Sequence, residues 1–404
     1  MQPQAGLPRG APGQAGSRRR WPFWFLIAAL VALVIVFVPV GLGHPTVNTG
    51  DPRAYAESMD LMFGGEVPYI DFGYEHLPLA IVPMGLATVI SAATGIPFTY
   101  PFMLLMLAMV FATGVLVVRI AGDLDLASLD GGDIGLRFVV MVAPMLLIIP
   151  FRIDALSVLL AVAALFFAIR EREGASFAAA VGGVLAKGWP VVLTATDWWR
   201  GKRTRAAVLV GFTTVIGVAL LMTPGFRAGR EFVGVHEETL SGTLVIVWRL
   251  LGGNEAQIVD AAGALYVVTG PWAVAFNLAV GGAIGLGALM VLRRRFSWQG
   301  GVALTAALTY AVLLAAPLLS TQFVLWPIPF VALTGSRPGR WLLTAAAVVS
   351  VALTGIWFPL TLWWHTGWLI RNLLLLAAAI YAVRDALAVA ETYEASTSLR
   401  NLPV

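Results

Sequence analysis

The chain contains no cysteine among its 404 residues, only four histidines and few charged residues. The missing cysteine excludes disulfide bonds and thiolate metal sites. Charged residues make up 12% of the sequence and hydrophobic residues 59%, whereas soluble globular proteins have about 25% charged residues. The composition therefore excludes an ordinary soluble fold and predicts a polytopic membrane protein.

Several sequence motifs of soluble enzymes are missing as well. There is no P-loop, no GxSxG nucleophile elbow and no dinucleotide-binding fingerprint in a strand–helix context. The net charge of +4 is small, and the basic residues form short clusters between apolar runs. These clusters indicate membrane topology rather than a nucleic-acid surface.

The N-terminal residues 1–20 are rich in proline, glycine and glutamine and end in three arginines. They are predicted to be disordered and cytoplasmic. The following apolar run has about 20 residues, enough to span a bilayer. Residues 21–384 are predicted to form a single transmembrane domain, and residues 385–404 a cytoplasmic tail.

The predicted fold is all-α, a bundle of about 11 or 12 transmembrane helices with interfacial helices in the first outer loop. The basic clusters that should face the cytoplasm lie at 170–174, 200–205, 293–298 and 336–340. The segments that should face the outside are 43–100, the turn around 151–154 and 224–270. Segment 78–96 is predicted to be an interfacial helix, and segment 175–198 a hairpin of two short helices that turns near Lys187.

The stretch NTGDPRAY places Asp51 at the outer mouth of the first predicted span. A carboxylate at this interface can act as a general base toward a substrate hydroxyl. Asp-Pro is also a good helix start, so Asp51 can instead cap the helix that follows. Both roles can hold together. Downstream, Tyr74 and His76 offer hydrogen-bonding and stacking surfaces to a polar substrate.

Two further motifs carry isolated charges beside apolar helices. Arg152 and Asp154 stand in FRID at the predicted outer junction, where they can pair with each other or hold an anionic headgroup. Lys187 is alone in the apolar stretch VLAKGWPVVL. It can bind a phosphate, or it can extend its ammonium group to the membrane interface.

The second predicted outer loop contains His236, Glu237, Glu238 and Arg249. A His-Glu pair can bind a metal, but there is no HExxH motif, so contact with a sugar or phosphate is the stronger hypothesis, and a solvated loop is the alternative. Gln322 lies in STQFVLWPIPF, which predicts a proline-broken helix of the kind that lines cavities at membrane depth.

The order of these motifs resembles that of the polytopic glycosyltransferases of the GT-C fold, over about Trp21 to Arg384. Within that group the chain is similar to glycosyltransferase family 87, the polyprenyl-phosphate-mannose-dependent α-mannosyltransferases of actinobacterial envelopes. YEHLP resembles the acidic-Tyr-Pro-Pro pattern of the family. FRID resembles an Arg-x-Asp turn, LAKG a Thr-Lys-Gly hairpin, and STQFVLW a late Pro-Gln-Phe-Leu-Leu-Trp segment.

The resemblance implies an enzyme of the plasma membrane with its active site on the extracytoplasmic face and no cofactor or metal. Its partners would be a polyprenyl-phosphate-sugar donor, a glycolipid or glycan acceptor and the bilayer. Asp51 would be the catalytic base. The substrate-binding residues would be Tyr55, Tyr74, Glu75, His76, Arg152, Asp154, Lys187, His236, Glu237, Arg249 and Gln322.

Two other classes of protein remain as alternatives. A secondary transporter would place its charges near the bilayer midplane on broken helices, and it often shows two related halves. This chain has no convincing internal repeat, and its acids gather in the segments predicted to face outside. A lipid-carrier flippase or envelope scaffold would share the basic headgroup site but would not need Asp51.

Overall fold

We analysed the protein as a computed structural model. It describes residues 30–31, 33–35, 51–126, 134–228, 234–253, 257–261, 264–268, 271–294, 296–355 and 361–400. The predicted disordered segment 1–20 lies outside the described residues, and so does nearly all of the first predicted span.

The described chain is mostly helical. The longer helices are α1 (Asp51–Phe63), α2 (Ile81–Thr94), α3 (Thr99–Asp123), α4 (Ile134–Val142), α5 (Asp154–Ile169), α6 (Glu173–Ala186), α7 (Leu193–Trp199), α8 (Arg203–Met222), α9 (Pro224–Ala228), α10 (Leu240–Leu250), α11 (Trp272–Leu289), α12 (Trp298–Ala315), α13 (Ile328–Thr334), α14 (Arg337–Gly355) and α15 (Leu362–Arg400). Short 3₁₀ turns cover Pro78–Ala80, Ala143–Leu147, Ile149–Phe151, Trp189–Val192, Met290–Arg293 and Thr321–Leu325. The strands are β1 (Val235–His236), β2 (Gln257–Ala261) and β3 (Ala264–Val268).

Five of the described helices are long and apolar enough to cross a membrane: Thr99–Asp123, Arg203–Met222, Trp272–Arg293, Trp298–Ala315 and Leu362–Thr392. Helix α8 shows why lipid is the expected surroundings, since its valines 208, 210, 215 and 218 are all at least 46% exposed. Water would be a poor solvent for such a surface. The prediction of a multi-pass membrane protein is confirmed to this extent.

The other predicted spans form shorter or broken apolar helices in the described chain. Segment 78–96 is a helix of 17 residues, including its 3₁₀ start at Pro78. Segment 134–150 is one helix, α4, followed by two 3₁₀ turns. The predicted count of 11 or 12 crossings therefore stays a prediction.

The region 175–198 has the predicted hairpin shape. Helix α6 ends before Lys187, and a 3₁₀ turn leads into α7. Pro190 explains the break, because proline disfavours a helical residue before it and donates no N–H. Arg200 contacts Glu173 at 2.6 Å, so the chain returns to the place where α6 begins.

Two features differ from the predicted all-α bundle with a separate tail. The second predicted outer loop contains an antiparallel sheet in the order β1-β3-β2, in which His236 pairs with Tyr266. Helix α15 also runs 39 residues to Arg400, through the predicted tail boundary at 384. The sheet packs a small apolar core of Val235, Val267 and Ile246 of its own.

Helix α12 is the centre of the bundle, with 78% of its span buried, and it contacts α11 and α15. The approach of α11 to α12 requires a glycine at 281, because a Cβ there would overlap the backbone carbonyl of Ala311. Small residues at helix contacts are typical of membrane bundles.

Two ion pairs outside the bundle centre lie at the end of the bundle that carries the predicted cytoplasmic clusters. Arg294 of a predicted cytoplasmic cluster pairs at 3.0 Å with Glu391 of the predicted cytoplasmic tail. Arg170 of another such cluster pairs at 2.8 Å with Asp123, the last residue of α3. At the opposite end, the backbone N–H of Tyr74 donates to Gly225, which joins the two predicted outer loops. The predicted arrangement of sides is therefore compatible with the fold.

Candidate functional site

Asp51 is the first described residue of α1. Its carboxylate forms an ion pair with Arg152 and accepts a hydrogen bond from the Tyr55 hydroxyl at 3.2 Å. The Asp51 side chain remains 34% exposed, so a substrate can reach it. Asp51 thus offers an accessible, paired carboxylate.

The segment YEHLP packs against this end of α1. The His76 ring lies edge-on to Tyr55 at 5.2 Å and to Tyr74 at 5.5 Å. Glu75 is 58% exposed and its carboxylate lies 3.5 Å from the His76 ring nitrogen. Tyr74 is buried, and its hydroxyl contacts the Met84 sulfur. These aromatic rings form one wall beside Asp51.

Arg152 and Asp154 mark a change of chain direction. A 3₁₀ turn that contains Pro150 ends at Arg152, which is extended, and α5 begins at Asp154. The two side chains take different partners: Arg152 pairs with Asp51, whereas Asp154 pairs with Lys187. Burial lowers the pKa of Arg152, and the charges of Asp154 and Glu238 raise it. The simple Arg152–Asp154 pair considered as an alternative is therefore replaced by two pairs side by side.

Asp154 is an enclosed charge, with 1% of its side chain exposed. The Lys187 ammonium lies 2.9 Å from one carboxylate oxygen, and the Trp326 indole N–H donates to the same oxygen at 2.8 Å. The Trp189 indole stacks on Trp326 at 5.3 Å and donates to the Ser157 hydroxyl at 3.0 Å. A buried carboxylate is stable only with such partners.

Lys187 therefore does not extend to a membrane edge. Its backbone is extended, after the end of α6, and its ammonium lies 4.2 Å from the Phe323 ring centre. Phe323 belongs to the 3₁₀ turn that also holds Gln322, which is buried. The motifs FRID, LAKGW and STQFVLW, far apart in sequence, thus meet in one place.

A second buried cluster adjoins the first. The Arg371 guanidinium donates to the Glu238 backbone carbonyl and lies 3.5 Å from the Glu238 carboxylate. The Asn372 amide donates to the same carbonyl at 3.0 Å, and the Thr321 hydroxyl donates to the Glu238 carboxylate at 3.4 Å. Arg371 is fully buried. The cluster connects the loop before α10 to the first third of α15.

The other predicted residues of this loop have different positions. His236 lies in β1, is buried and contacts Tyr266 edge-on at 5.5 Å. The buried carboxylate of Glu237 lies 3.9 Å from the His365 ring. Arg249 is in the last turn of α10, about 15 Å along the helix from the Thr239 cap. The structure therefore brings His236 and Glu237 beside Glu238 but leaves Arg249 at the far end of α10.

Sequence analysis missed His365, Arg371 and Asn372, which are all fully buried. A signal for Arg371 was present, because a lone arginine inside an apolar segment is a functional hypothesis by default. Within the described ranges, no group of three or more His, Asp or Glu side chains is placed to hold a metal ion.

Glu238 gives the site a specific dependence of stability on pH. Burial raises its pKa to about 7, against the opposing charges of Arg371 and Arg152. Between about pH 4.5 and about pH 7, the Glu238 carboxyl is therefore protonated in the folded protein. In the unfolded chain, where its pKa has the ordinary value of 4.5, it is ionised. This stabilisation is fully present below the unfolded pKa and is lost as the pH rises through about 7.

We expect the Tm of the wild type to fall relative to that of Glu238→Gln between about pH 5 and about pH 8. Glutamine cannot ionise, so the variant lacks this dependence. Burial lowers the pKa of His236 to about 4, and that titration is common to both proteins and cancels in the difference. Thermal unfolding in detergent across the pH range measures the effect; parallel curves for the two proteins would refute it.

Comparisons of the chain with protein-family models, with curated proteins and with solved structures give no match.

Proposed function

We propose that this protein is a membrane glycosyltransferase of the GT-C type. It moves a sugar from a polyprenyl-phosphate donor to the hydroxyl of a lipid or glycan acceptor on the outer face of the plasma membrane. Mannose is the sugar that the resemblance to glycosyltransferase family 87 implies. Asp51 is the catalytic base.

One observation carries the proposal: three motifs that are far apart in sequence, FRID, LAKGW and STQFVLW, meet in one place, and FRID also pairs with the accessible carboxylate of Asp51. Asp51 pairs with Arg152 of FRID, and the next acid of that motif, Asp154, joins Lys187 of LAKGW to Trp326 of STQFVLW. An ion pair that only stabilises the fold can be fully buried. The Asp51 side chain is instead 34% exposed, so a substrate could contact it. The exposed carboxylate beside a partly exposed guanidinium suits proton transfer next to an anionic group.

The proposed reaction is a single displacement. The acceptor oxygen attacks the anomeric carbon of the donor sugar, and the bond from that carbon to the phosphate oxygen breaks. The acceptor proton moves to Asp51, and the bonding electrons leave with polyprenyl phosphate. The configuration at the anomeric carbon is inverted, and no covalent enzyme intermediate forms. A neighbouring guanidinium favours the ionised form of a carboxylate, which is the form that accepts a proton.

The leaving phosphate gains negative charge and needs a positive partner. Arg152 suits this role best, because it is 24% exposed and adjoins Asp51. Guanidinium matches phosphate oxygens in a bidentate geometry. When the leaving phosphate forms hydrogen bonds with the Arg152 guanidinium, the ion pair between Arg152 and Asp51 weakens. The Asp51 carboxylate can then accept the proton of the acceptor hydroxyl. Lys187 supports the same region through Asp154.

The proposal is tested by sugar transfer in proteoliposomes. Purified wild-type protein is given radiolabelled polyprenyl-phosphate mannose and a membrane lipid extract, and a nucleotide-activated mannose serves as the alternative donor. We expect labelled product from the polyprenyl donor only, with the anomeric configuration opposite to that of the donor. Transfer from the nucleotide donor alone would show that the donor class is wrong.

A further inference from the structure

A groove of about 910 Å³ opens at the end of the bundle that carries the predicted cytoplasmic clusters. Trp298, the first residue of α12, lines it. The other end of α12 leads to Pro317, whose carbonyl accepts the His236 N–H at 2.9 Å. A helix of 18 residues is about 27 Å long, so the groove and the candidate catalytic site are separate.

Three parts of the chain that are distant in sequence form the walls. They are the end of α7 with the start of α8, the 3₁₀ turn Met290–Arg293 with the residues after it, and the start of α12. The Trp199 ring stacks on Phe296 at 4.4 Å and holds two of these walls together. A topology signal requires basic residues near a helix end but no shared cavity. The groove thus calls for a further explanation.

The lining is strongly basic. Two acidic residues, Glu171 and Glu173, face five basic ones: Arg200, Lys202, Arg203, Arg293 and Arg294. The Glu173 carboxylate forms ion pairs with the guanidinium groups of Arg200 and Arg205, each at an N–O distance of 2.6 Å. The groove therefore keeps an excess of positive charge after its internal pairs are formed.

Arg203 and Arg293 provide this excess from two different walls. Neither forms an ion pair with any carboxylate in the described part of the chain. The Arg203 guanidinium lies 5.4 Å from the Trp198 ring centre. Two guanidinium groups across a groove can both donate to one phosphate, a geometry that arginine favours.

The surroundings favour a lipid over a free anion. Trp198 is 50% exposed at the groove, and tryptophan is enriched at the height of lipid headgroups. Leu289 and Met290 are 41% and 60% exposed just before Arg293, where acyl chains would lie. Basic pockets between transmembrane helices on the cytoplasmic side are a known mode of anionic headgroup binding.

We propose that this groove binds an anionic phospholipid of the cytoplasmic leaflet, with Arg203 and Arg293 on its phosphate and Trp198 at the headgroup. The site is independent of the proposed sugar transfer, since it uses other residues at the other end of α12. Its function is to fix the basic end of the bundle to the anionic membrane surface.

The test is native mass spectrometry of the full-length protein in detergent with added lipid. Phosphatidylglycerol is compared with phosphatidylcholine of the same acyl chains. We expect wild-type protein to retain phosphatidylglycerol at concentrations where phosphatidylcholine does not bind. The double variant Arg203→Gln/Arg293→Gln should weaken phosphatidylglycerol binding about 30-fold.

A matched control removes two arginines outside the groove: Arg119, one turn before the Asp123 that pairs with Arg170, and Arg337 of the predicted cytoplasmic cluster 336–340. Arg119 and Arg337 are exposed, and neither forms an ion pair in the described ranges. The variant Arg119→Gln/Arg337→Gln should bind phosphatidylglycerol like the wild type. If the groove double variant is not folded, Arg293→Gln alone replaces it, and the wild-type lipid comparison still decides.

Three results would overturn the proposal. Equal retention of the two lipids would show that the groove does not select an anionic headgroup. Equal loss of binding in the groove and control variants would assign the effect to net charge. Displacement of the lipid by millimolar inorganic phosphate would identify a site for the free anion instead of a lipid.

Discussion

Asp51→Asn is expected to lower the rate of sugar transfer by about 10²- to 10⁴-fold, the usual effect of removing a general base. Asparagine keeps the size of the side chain and can still accept hydrogen bonds from Tyr55 and Arg152, which contact Asp51 in the structure. It cannot accept the acceptor proton. The loss should therefore appear in kcat, with little change in the KM for the polyprenyl-phosphate donor.

Asp60→Asn is the matched control for this change. Asp60 lies in the same helix, α1, and is exposed. The control should transfer sugar at the wild-type rate and keep the wild-type Tm, and the rate of Asp51→Asn is measured at a temperature well below its own Tm. If Asp51→Asn transfers sugar at the wild-type rate, Asp51 is not the base. That result would leave the glycosyltransferase proposal itself untouched.

Asp154→Asn is expected to lower the free energy of unfolding by about 3–5 kcal/mol, because it removes the enclosed carboxylate charge that faces the Lys187 ammonium and the Trp326 indole N–H. Asp154 is 1% exposed and Lys187 is 22% exposed, so water compensates little. The double variant Asp154→Asn/Lys187→Met should recover much of the loss, since it removes both charges. Thermal unfolding in detergent ranks the variants.

An exposed ion pair provides the control for this experiment. Asp123 and Arg170 are 28% and 42% exposed, and Asp123→Asn should cost at most about 1 kcal/mol. A loss for Asp154→Asn no greater than that of Asp123→Asn would contradict the assignment of a buried, essential pair. Sugar transfer by the recovered double variant then separates a direct role of Lys187 at the phosphate from a purely structural one.

The sequence was sufficient for features that depend on local patterns. Low charge and long apolar runs predict a membrane protein, and five described helices have the required length. Pro190 after Lys187 predicts the break between α6 and α7. Each of these depends on residues only a few positions apart.

The sequence could not predict contacts between residues that lie far apart along the chain. Asp154 and Lys187 are 33 positions apart, and Asp154 and Trp326 are 172 apart, so their contacts depend on how α5 packs against the hairpin and the late 3₁₀ turn. Arg371 was missed because its partner, Glu238, lies 133 positions earlier. The strands β2 and β3 have five residues each, too short for a clear alternating pattern in an irregular loop.

The central claim is that the site around Asp51 and Arg152 transfers a sugar from a phosphodiester donor. The most direct test measures the products of that donor in proteoliposomes of the wild-type protein. Polyprenyl phosphate and glycosylated acceptor should appear in equal amounts, and neither should form with Asp51→Asn beyond the background. If the folded wild-type protein leaves the donor intact in the presence of every membrane lipid fraction, the glycosyltransferase proposal is contradicted.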